Sequence, residues 1–485
     1  MSSVNDSMAS KTFTNLLWKF AERIGAQGVK FIVSLVLARL LLPSDYGTIA
    51  LISIFISIMN VFIESGLGTA LIQKKDADDL DFSSVFYFNL MMCIILYLAM
   101  FFCAPLISSF YNNEELTPII RVLSLTLIVS GLKNVQQAYV SRKMIFKKFF
   151  FATLGGTIGA AVLGIFLAYK GYGVWALVAQ QLFNVTVDTF ILWISVKWRP
   201  IFKFSIKRLK SLFSYGWKLL VSSLLHTVYM DIRSLIIGKK YSADDLAYFN
   251  KGSEFPTFIT SNINASIDSV LLPVMSSAQS EVERVKLITR RSIMISSFLM
   301  WPLMLGLAGV AQNLIPLLIT EKWLPCVPFL YIFCFNYGTE PLSTANLNAI
   351  RALGHSDYIL KMEIIKKIIA LAIVIAAVPF GVMGIALSST VYTFVSIFIN
   401  TFPNKKLLNY SLWEMIKDVF PSLIISFIMF IIVFFMNYLP INSTILLVLQ
   451  ILVGAVFYIS LAYFFKMEAF NYSITIIKNF RKNKN

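Results

Sequence analysis

The chain has 485 residues, of which 58% are hydrophobic and 14% charged, against about 25% charged in a soluble domain. That surplus of Phe, Ile and Leu excludes a water-soluble protein, whose surface would have to present it to solvent. Lys and Arg number 42 against 25 Asp and Glu, a net charge of +17, but the cations sit in short gaps between apolar runs, where loops beside an anionic leaflet belong. No basic domain is left to bind nucleic acid.

A hydrocarbon core about 30 Å thick takes about 20 helical residues to cross. Fourteen runs qualify, at 14–41, 46–71, 84–110, 118–140, 149–169, 173–196, 213–237, 252–275, 291–319, 326–350, 359–379, 382–403, 416–437 and 443–465. The expected fold is therefore an all-α polytopic membrane protein of 14 transmembrane helices. The first run continues past Lys30 with no small-residue cleavage site, so it reads as an uncleaved span and not as a signal peptide. The eighth carries Ser253, Glu254, Asn262, Asn264 and Asp268 and is too polar to face lipid. Cys93, Cys103, Cys326 and Cys334 lack the paired spacing of a zinc or redox site and read as small buried hydrophobes. No metal and no cofactor are expected.

Loop charge alternates. One set of loops holds about 27 Lys and Arg, including Lys74, Arg142, Lys148, Lys203, Arg208, Arg290 and the tail from Lys466, while the other holds about five, Lys170, Lys239, Lys240, Lys251 and Lys322. Both termini are thereby expected in the cytoplasm, which an even number of spans requires. The halves also repeat: Trp18-Lys19 and Trp217-Lys218 each open a span that ends near an Asp-containing turn, Pro43-Ser44-Asp45-Tyr46-Gly47 and Ser242-Ala243-Asp244-Asp245-Leu246. Because the first and seventh spans run in the same direction, the repeat is parallel, about an axis along the membrane normal. The expected organisation is an N-terminal lobe at 1–197, a basic cytoplasmic linker at 198–212, a second six-helix lobe at 213–403, and a terminal helix pair with a basic tail at 404–485.

A charge at mid-helix costs about 2.5 to 3.5 kcal/mol to insert, so each needs a partner, water or a ligand. Lys19, Arg23, Gln27 and Lys30 fall on one face of the first span, and Lys218, Ser222, His226, Tyr229 and Arg233 repeat the device in the seventh. Such stripes suit an anion entering the membrane, phosphate or pyrophosphate above all, which Arg and Lys bind through charge-assisted hydrogen bonds. Lys19 and Lys218 can instead snorkel to the interface, and Arg39 and Arg233 lie near the outer ends. Among the intramembrane acids, Asp188, Glu64, Asp231 and Glu254 are candidates for coupling to H⁺ or Na⁺, Asp188 first because it stands in an otherwise apolar span; Glu22, Asp268 and Glu340 read as structural pairs. Pro and Gly breaks such as Pro105, Pro256, Pro302 and the Gly155–Gly164 stretch allow bends and close helix approach. There is no Walker A loop, no nucleophile elbow and no long soluble segment for a nucleotide site.

Leu37-Ala38-Arg39-Leu40-Leu41 with Pro43-Ser44-Asp45-Tyr46-Gly47, then Glu64-Ser65-Gly66-Leu67-Gly68, Ala70 to Lys75, Ile236-Ile237-Gly238-Lys239, Lys322-Trp323-Leu324-Pro325 and Arg351-Ala352-Leu353-Gly354 resemble the polysaccharide-transport branch of the multidrug/oligosaccharidyl-lipid/polysaccharide exporter superfamily, closest to the colanic-acid and teichuronic-acid exporter type. The resemblance implies two six-helix lobes forming a V plus two extra helices. It also implies a substrate, an oligosaccharide repeat unit on undecaprenyl pyrophosphate, flipped to the outer leaflet of the bacterial cytoplasmic membrane through a cationic cavity, with a polysaccharide polymerase and chain-length machinery as partners. Lys19, Arg23 and Lys30 are where the pyrophosphate role would fall. The rival readings are a drug/cation antiporter, which would favour an acidic or aromatic cavity, and a membrane-bound glycosyltransferase or polymerase, which would lengthen the glycan.

Overall fold

The computed structural model describes residues 25–482, Ser65 excepted, and no strand occurs among them. Ten of the described segments are long and apolar enough to cross a bilayer. Two compact units divide between Ala247 and Tyr248.

The first unit contains α1 (25–40), α2 (Pro43–Glu64), α3 (Leu67–Gln73), α4 (Asp79–Tyr111), α5 (Leu116–Leu123), α6 (Leu125–Lys143), α7 (Lys147–Tyr169), α8 (Val174–Ser195) and α9 (Ile206–Lys240). α7 and α8 share the most extensive contact in the unit. Small residues of α7 make this possible: a Cβ at Gly156 would lie 3.0 Å from the Asn184 carbonyl, and one at Gly164 would meet Gln180. In lipid, where no hydrophobic drive joins helices, such close backbone approach is a main source of cohesion. Phe82, Phe86, Val135 and Trp198 form a buried aromatic and aliphatic cluster with Ala152 of α7 and Leu192 of α8, tying α4, α6 and the segment after α8 together.

α9 extends the expected seventh run toward its N-terminus. Its first ten residues fall largely within the 198–212 stretch read as a linker, and it packs inside the first unit on α2, α3 and α4. Two glycines explain how it is fastened. Gly66, at φ 67°, takes a left-handed turn that L side chains rarely adopt, and a Cβ there would lie 2.6 Å from the Gly216 carbonyl of α9. Just past its other end, Gly47 abuts the backbone of Ala243 at the start of the next helix, where any side chain would collide. The two repeated Asp turns therefore touch. They are also built alike: the Leu42 amide donates to Asp45 at 2.9 Å, and the Ser242 amide to Asp245 at 3.2 Å.

The second unit continues α10 (Ala243–Ser277) and contains α11 (Val282–Ile319), α12 (Val327–Gly338), α13 (Glu340–Ala352), α14 (Ser356–Ala377), α15 (Gly381–Leu407), α16 (Leu412–Phe435), α17 (Ser443–Phe464) and α18 (Glu468–Lys482). α11 is its axis, with Trp301 in a core that draws on Leu271, Leu342, Ala345 and Met415. The terminal pair, α16 and α17, docks on α11 through side-chain amides: Asn313 donates to Asn437 at 2.8 Å and to Gln450 at 3.1 Å, and Gln450 donates to the Val433 carbonyl at 2.9 Å. Such polar contacts hold helices in a medium with no water to compete.

The expected runs that fall outside the ten have physical reasons. The tenth run breaks at Thr339 into α12 and α13, each too short to span alone; the eighth, α10, is too polar. Asp357–Leu407 is one continuous candidate that holds two expected runs, turned at Gly381, φ 78°. The first run is described only from residue 25. The tail, expected as a basic extension, is helical as α18 and is pinned at its start, where Arg290 reaches Glu468 at 2.9 Å and Asp418 at 2.9 Å.

Candidate functional site

A cationic surface needs charges that the fold has not already neutralised. Lys19 and Arg23 lie outside the described residues. On α1, Gln27 is half-buried and Lys30 is exposed, with no ion pair among the described residues. On α9, Lys218 and His226 are exposed and Arg233 is half-buried. The α9 stripe is open because the helix packs on its neighbours along one side only: of the 18-residue stretch that marks it as a span, only 6% is buried. Near the C-terminal end of α9 Lys239 donates to the Phe110 carbonyl and lies 4.3 Å from the Phe110 ring.

The acids separate into two kinds. Asp188 is not alone: Lys133 of α6, a residue the sequence reading passed over, donates to it at 2.9 Å across to α8. Glu254 accepts from Lys251 at 2.7 Å, and Lys251, read from sequence as an outer-loop cation, is instead buried in α10 with its ammonium 5.3 Å from the Trp323 ring. These pairs offset the cost of burying each charge. Asp231 of α9 faces Ser57 of α2, and Glu64 is exposed at the end of α2, two residues from the contact between Gly66 and Gly216. In the second unit Asp268 accepts from Asn348 at 2.6 Å, as the structural reading of that acid expects, and Lys366, also unread from sequence, donates to Glu363.

Chemically, Lys30, Lys218 and His226 offer hydrogen-bond donors, the lysines with full positive charge, on otherwise apolar helices. Donors of this kind suit an anion by charge and hydrogen bonding. Nothing in that set provides an activated nucleophile, and among the described residues no three His, Cys, Asp or Glu converge on a metal position.

Outside the spans, the basic stretch before α9 closes on the start of α4. Asp78 caps that helix by accepting from the Asp81 amide at 3.0 Å, and the Asp81 carboxylate accepts in turn from the Asp78 amide at 3.2 Å. The Asp81 amide, together with Arg208 at 2.9 Å, holds the Asp78 carboxyl below the ordinary aspartate range.

The sequence pattern of a family described as polysaccharide biosynthesis protein matches residues 36–328. The succinoglycan biosynthesis transport protein ExoT of Rhizobium meliloti (strain 1021) is 24% identical over 338 residues, 69% of this chain and 68% of its own. The lipopolysaccharide biosynthesis protein WzxC of Escherichia coli (strain K12) is 21% identical over 432 residues, 87% of this chain and 88% of its own. Among solved structures, the lipid II flippase MurJ in an inward closed conformation superposes with a TM-score of 0.75 at 15% identity, covering 94% of this chain and 99% of that one.

Proposed function

Because the chain belongs to the polysaccharide biosynthesis protein family, we propose that it is a flippase for oligosaccharide repeat units carried on undecaprenyl pyrophosphate, moving them from the cytoplasmic to the outer leaflet for surface polysaccharide assembly. The observation that carries this reading is the pair of exposed lysines on two apolar helices, Lys30 on α1 and Lys218 on α9, with His226 as a further N–H donor along α9. Lone cations at such positions cost about 2.5 to 3.5 kcal/mol each without a counter-charge, and a pyrophosphate supplies one. The sign of this face speaks against a pump for cationic drugs, which would meet repulsion there. The relatives are named for transport and biosynthesis and the fold is that of a flippase, so no covalent reaction is assigned.

The reading includes the bacterial cytoplasmic membrane as location, both termini in the cytoplasm, and lobes at 1–197 and 213–403 joined by 198–212 and followed by 404–485; loop charge and the repeated Asp turn support it. Transport runs by alternating access driven by a H⁺ or Na⁺ gradient. With Asp188 and Glu254 holding lysines, Asp231 and Glu64 are the acids that coupling would use. A polysaccharide polymerase would receive the flipped unit.

Arg23→Ala and Lys30→Ala variants test the anion role. Each is expected to insert normally and to lose surface glycan, with lipid-linked oligosaccharide accumulating on the cytoplasmic side. Undiminished export in both single variants and in the double variant would remove the pyrophosphate site. Collapse of the proton gradient in vesicles, with Na⁺ omitted, is expected to stop flipping.

A further inference from the structure

The stretch Lys197 to Lys210 alternates basic and bulky apolar residues, Lys203, Lys207 and Lys210 with Phe202, Phe204 and Ile206. In a free cytoplasmic linker these apolar groups would fold inward or collapse onto the protein. They do not. Phe202 is 99% exposed, Ile206 70% and Phe204 49%, and the three lysines are exposed with them. Contiguous aromatic exposure of this kind marks a surface that something else covers.

The backbone bearing these groups is held firmly. The Trp198 indole donates to Asp79 at 3.1 Å, the Ile201 amide to Ser83 at 3.0 Å, and the Ser205 amide to Ser84 at 3.0 Å. Arg208 then pairs with Asp78 at 2.9 Å and Asp81 at 3.2 Å. Trp198 itself is buried. The anchoring fixes the depth of the segment as well as its shape. Ser83 and Ser84 immediately precede the apolar run of α4, which from Val85 to Ser108 covers about 36 Å at 1.5 Å per residue, slightly more than the roughly 30 Å hydrocarbon core. The residues hydrogen-bonded to those serines therefore sit at headgroup level.

We propose that residues 201–210 form an in-plane anchor on the cytoplasmic leaflet, with Phe202, Phe204 and Ile206 entering the headgroup–acyl boundary and Lys203, Lys207 and Lys210 holding anionic phospholipid headgroups. Aromatic and aliphatic groups interleaved with lysines are the pattern that partitions there, and anionic lipid is the partner of matching charge. The anchor sets the height of the start of α9, the helix that carries the second cationic stripe. The choice of leaflet rests on the orientation proposed above; the depth of the segment does not.

The test uses the full chain in nanodiscs of phosphatidylcholine alone or of equimolar phosphatidylcholine and phosphatidylglycerol. A spin label is placed at F202C in a C103A background, because Cys103 is the exposed native thiol among the four. In the anionic membrane the label is expected to collide more with oxygen than with a water-soluble nickel complex. Removing charge in K203Q/K207Q/K210Q, or removing phosphatidylglycerol, is expected to shift that balance toward nickel, by about fivefold per lysine from roughly 1 kcal/mol each. A label equally open to nickel in both membranes overturns the assignment, as does one shielded only after other membrane proteins are added, which would make the surface a protein-docking site. An unchanged unfolding midpoint in the lysine variant excludes misfolding, and the lipid comparison on the unsubstituted lysines stands without that variant. In parallel, K203C is expected to react with an impermeant maleimide in inverted vesicles and not in intact cells. The reverse labelling would sink the orientation and the leaflet together, whereas correct labelling with a water-exposed 202 would sink the anchor alone.

Discussion

α9 and α11 are close in length, 35 and 38 residues, and both are apolar enough to span a membrane, yet 61% of the apolar stretch of α11 is buried against 6% of that of α9. α11 touches α12, α13, α16, α17 and α18 along its length, while α9 rests on α2, α3 and α4 on one side only, through approaches such as Gly66 on Gly216 and Leu51 on Gly238 and ion pairs near its start. The difference separates two uses of a spanning helix. One supplies the packing that makes a unit, and substitutions along it should cost stability. The other presents side chains, and substitutions along its open face should cost transport with little change in stability.

The largest expected effect is on the packing helix. Trp301 is 2% exposed and lies against Gly338 and Phe335, so Trp301→Ala should lower stability by about 3 to 5 kcal/mol, read as a fall in the thermal midpoint in detergent. A midpoint within error of the parent would break the comparison at its firmer end. Next comes the buried pair between α6 and α8. Asp188→Leu leaves the Lys133 ammonium uncompensated and should cost about 3 kcal/mol, as breaking buried pairs does; adding Lys133→Met should recover most of it. If the double variant is no more stable than the single one, the pair is not what neutralises Asp188. On α9, Lys218→Ala with His226→Ala should change stability by less than about 0.5 kcal/mol, as exposed substitutions do, and should reduce glycan export at least about tenfold, a loss of roughly 1.4 kcal/mol in transition-state binding. A lowered midpoint with normal export would reverse the roles given to the two helices.

The smallest effect concerns the cap at the start of α4. Asp78 has its carboxyl pKa depressed in the folded state, chiefly by the Asp81 amide and then by Arg208. Its contribution is present above the unfolded value of 3.8 and is lost as pH falls through the lower folded value. Being largely exposed, it is worth about 0.5 kcal/mol. Hydrogen exchange at the first turn of α4 should therefore rise in acid and become insensitive to acid in Asp78→Asn.

Span positions were legible because length and apolarity decide them, and both are local. Boundaries were less so. The helix of the seventh run, α9, starts at Ile206 and that of the ninth run, α11, at Val282, ahead of the apolar residues, because a helix continues through its polar headgroup turn while an apolar count stops there. The break at Thr339 left no mark in the apolar count, since Gly338 and Pro341 are tolerated in spans and the turn is fixed by Trp301 closing on Gly338. Partner identity was the least legible part of the site. Asp188 stood out in sequence, but Lys133 is 55 residues away and nothing local couples them. Lys251 reads as a loop cation because it borders an apolar run, and only the fold reveals that Glu254 and Trp323 enclose it. The α9 stripe and Lys30 were visible as helical spacing, since the period of a helix is a property of the chain itself.

Many cations that sequence assigns to one side of the membrane have a second occupation. Arg142 donates to the carbonyls of Leu71 and Lys75 at 2.7 Å each, Arg199 to those of Val196 and Trp198 at 2.6 and 2.7 Å, Lys148 to that of Ser195, and Lys286 to that of Asn409 at 2.6 Å. These carbonyls lie in the last turns of α3 and α8 or just past the ends of α3, α8 and α15, where the chain leaves the helix and its carbonyls lack helical partners. An engineer who flips this protein by relocating its basic residues would thus also unstitch the seams where its helices turn back.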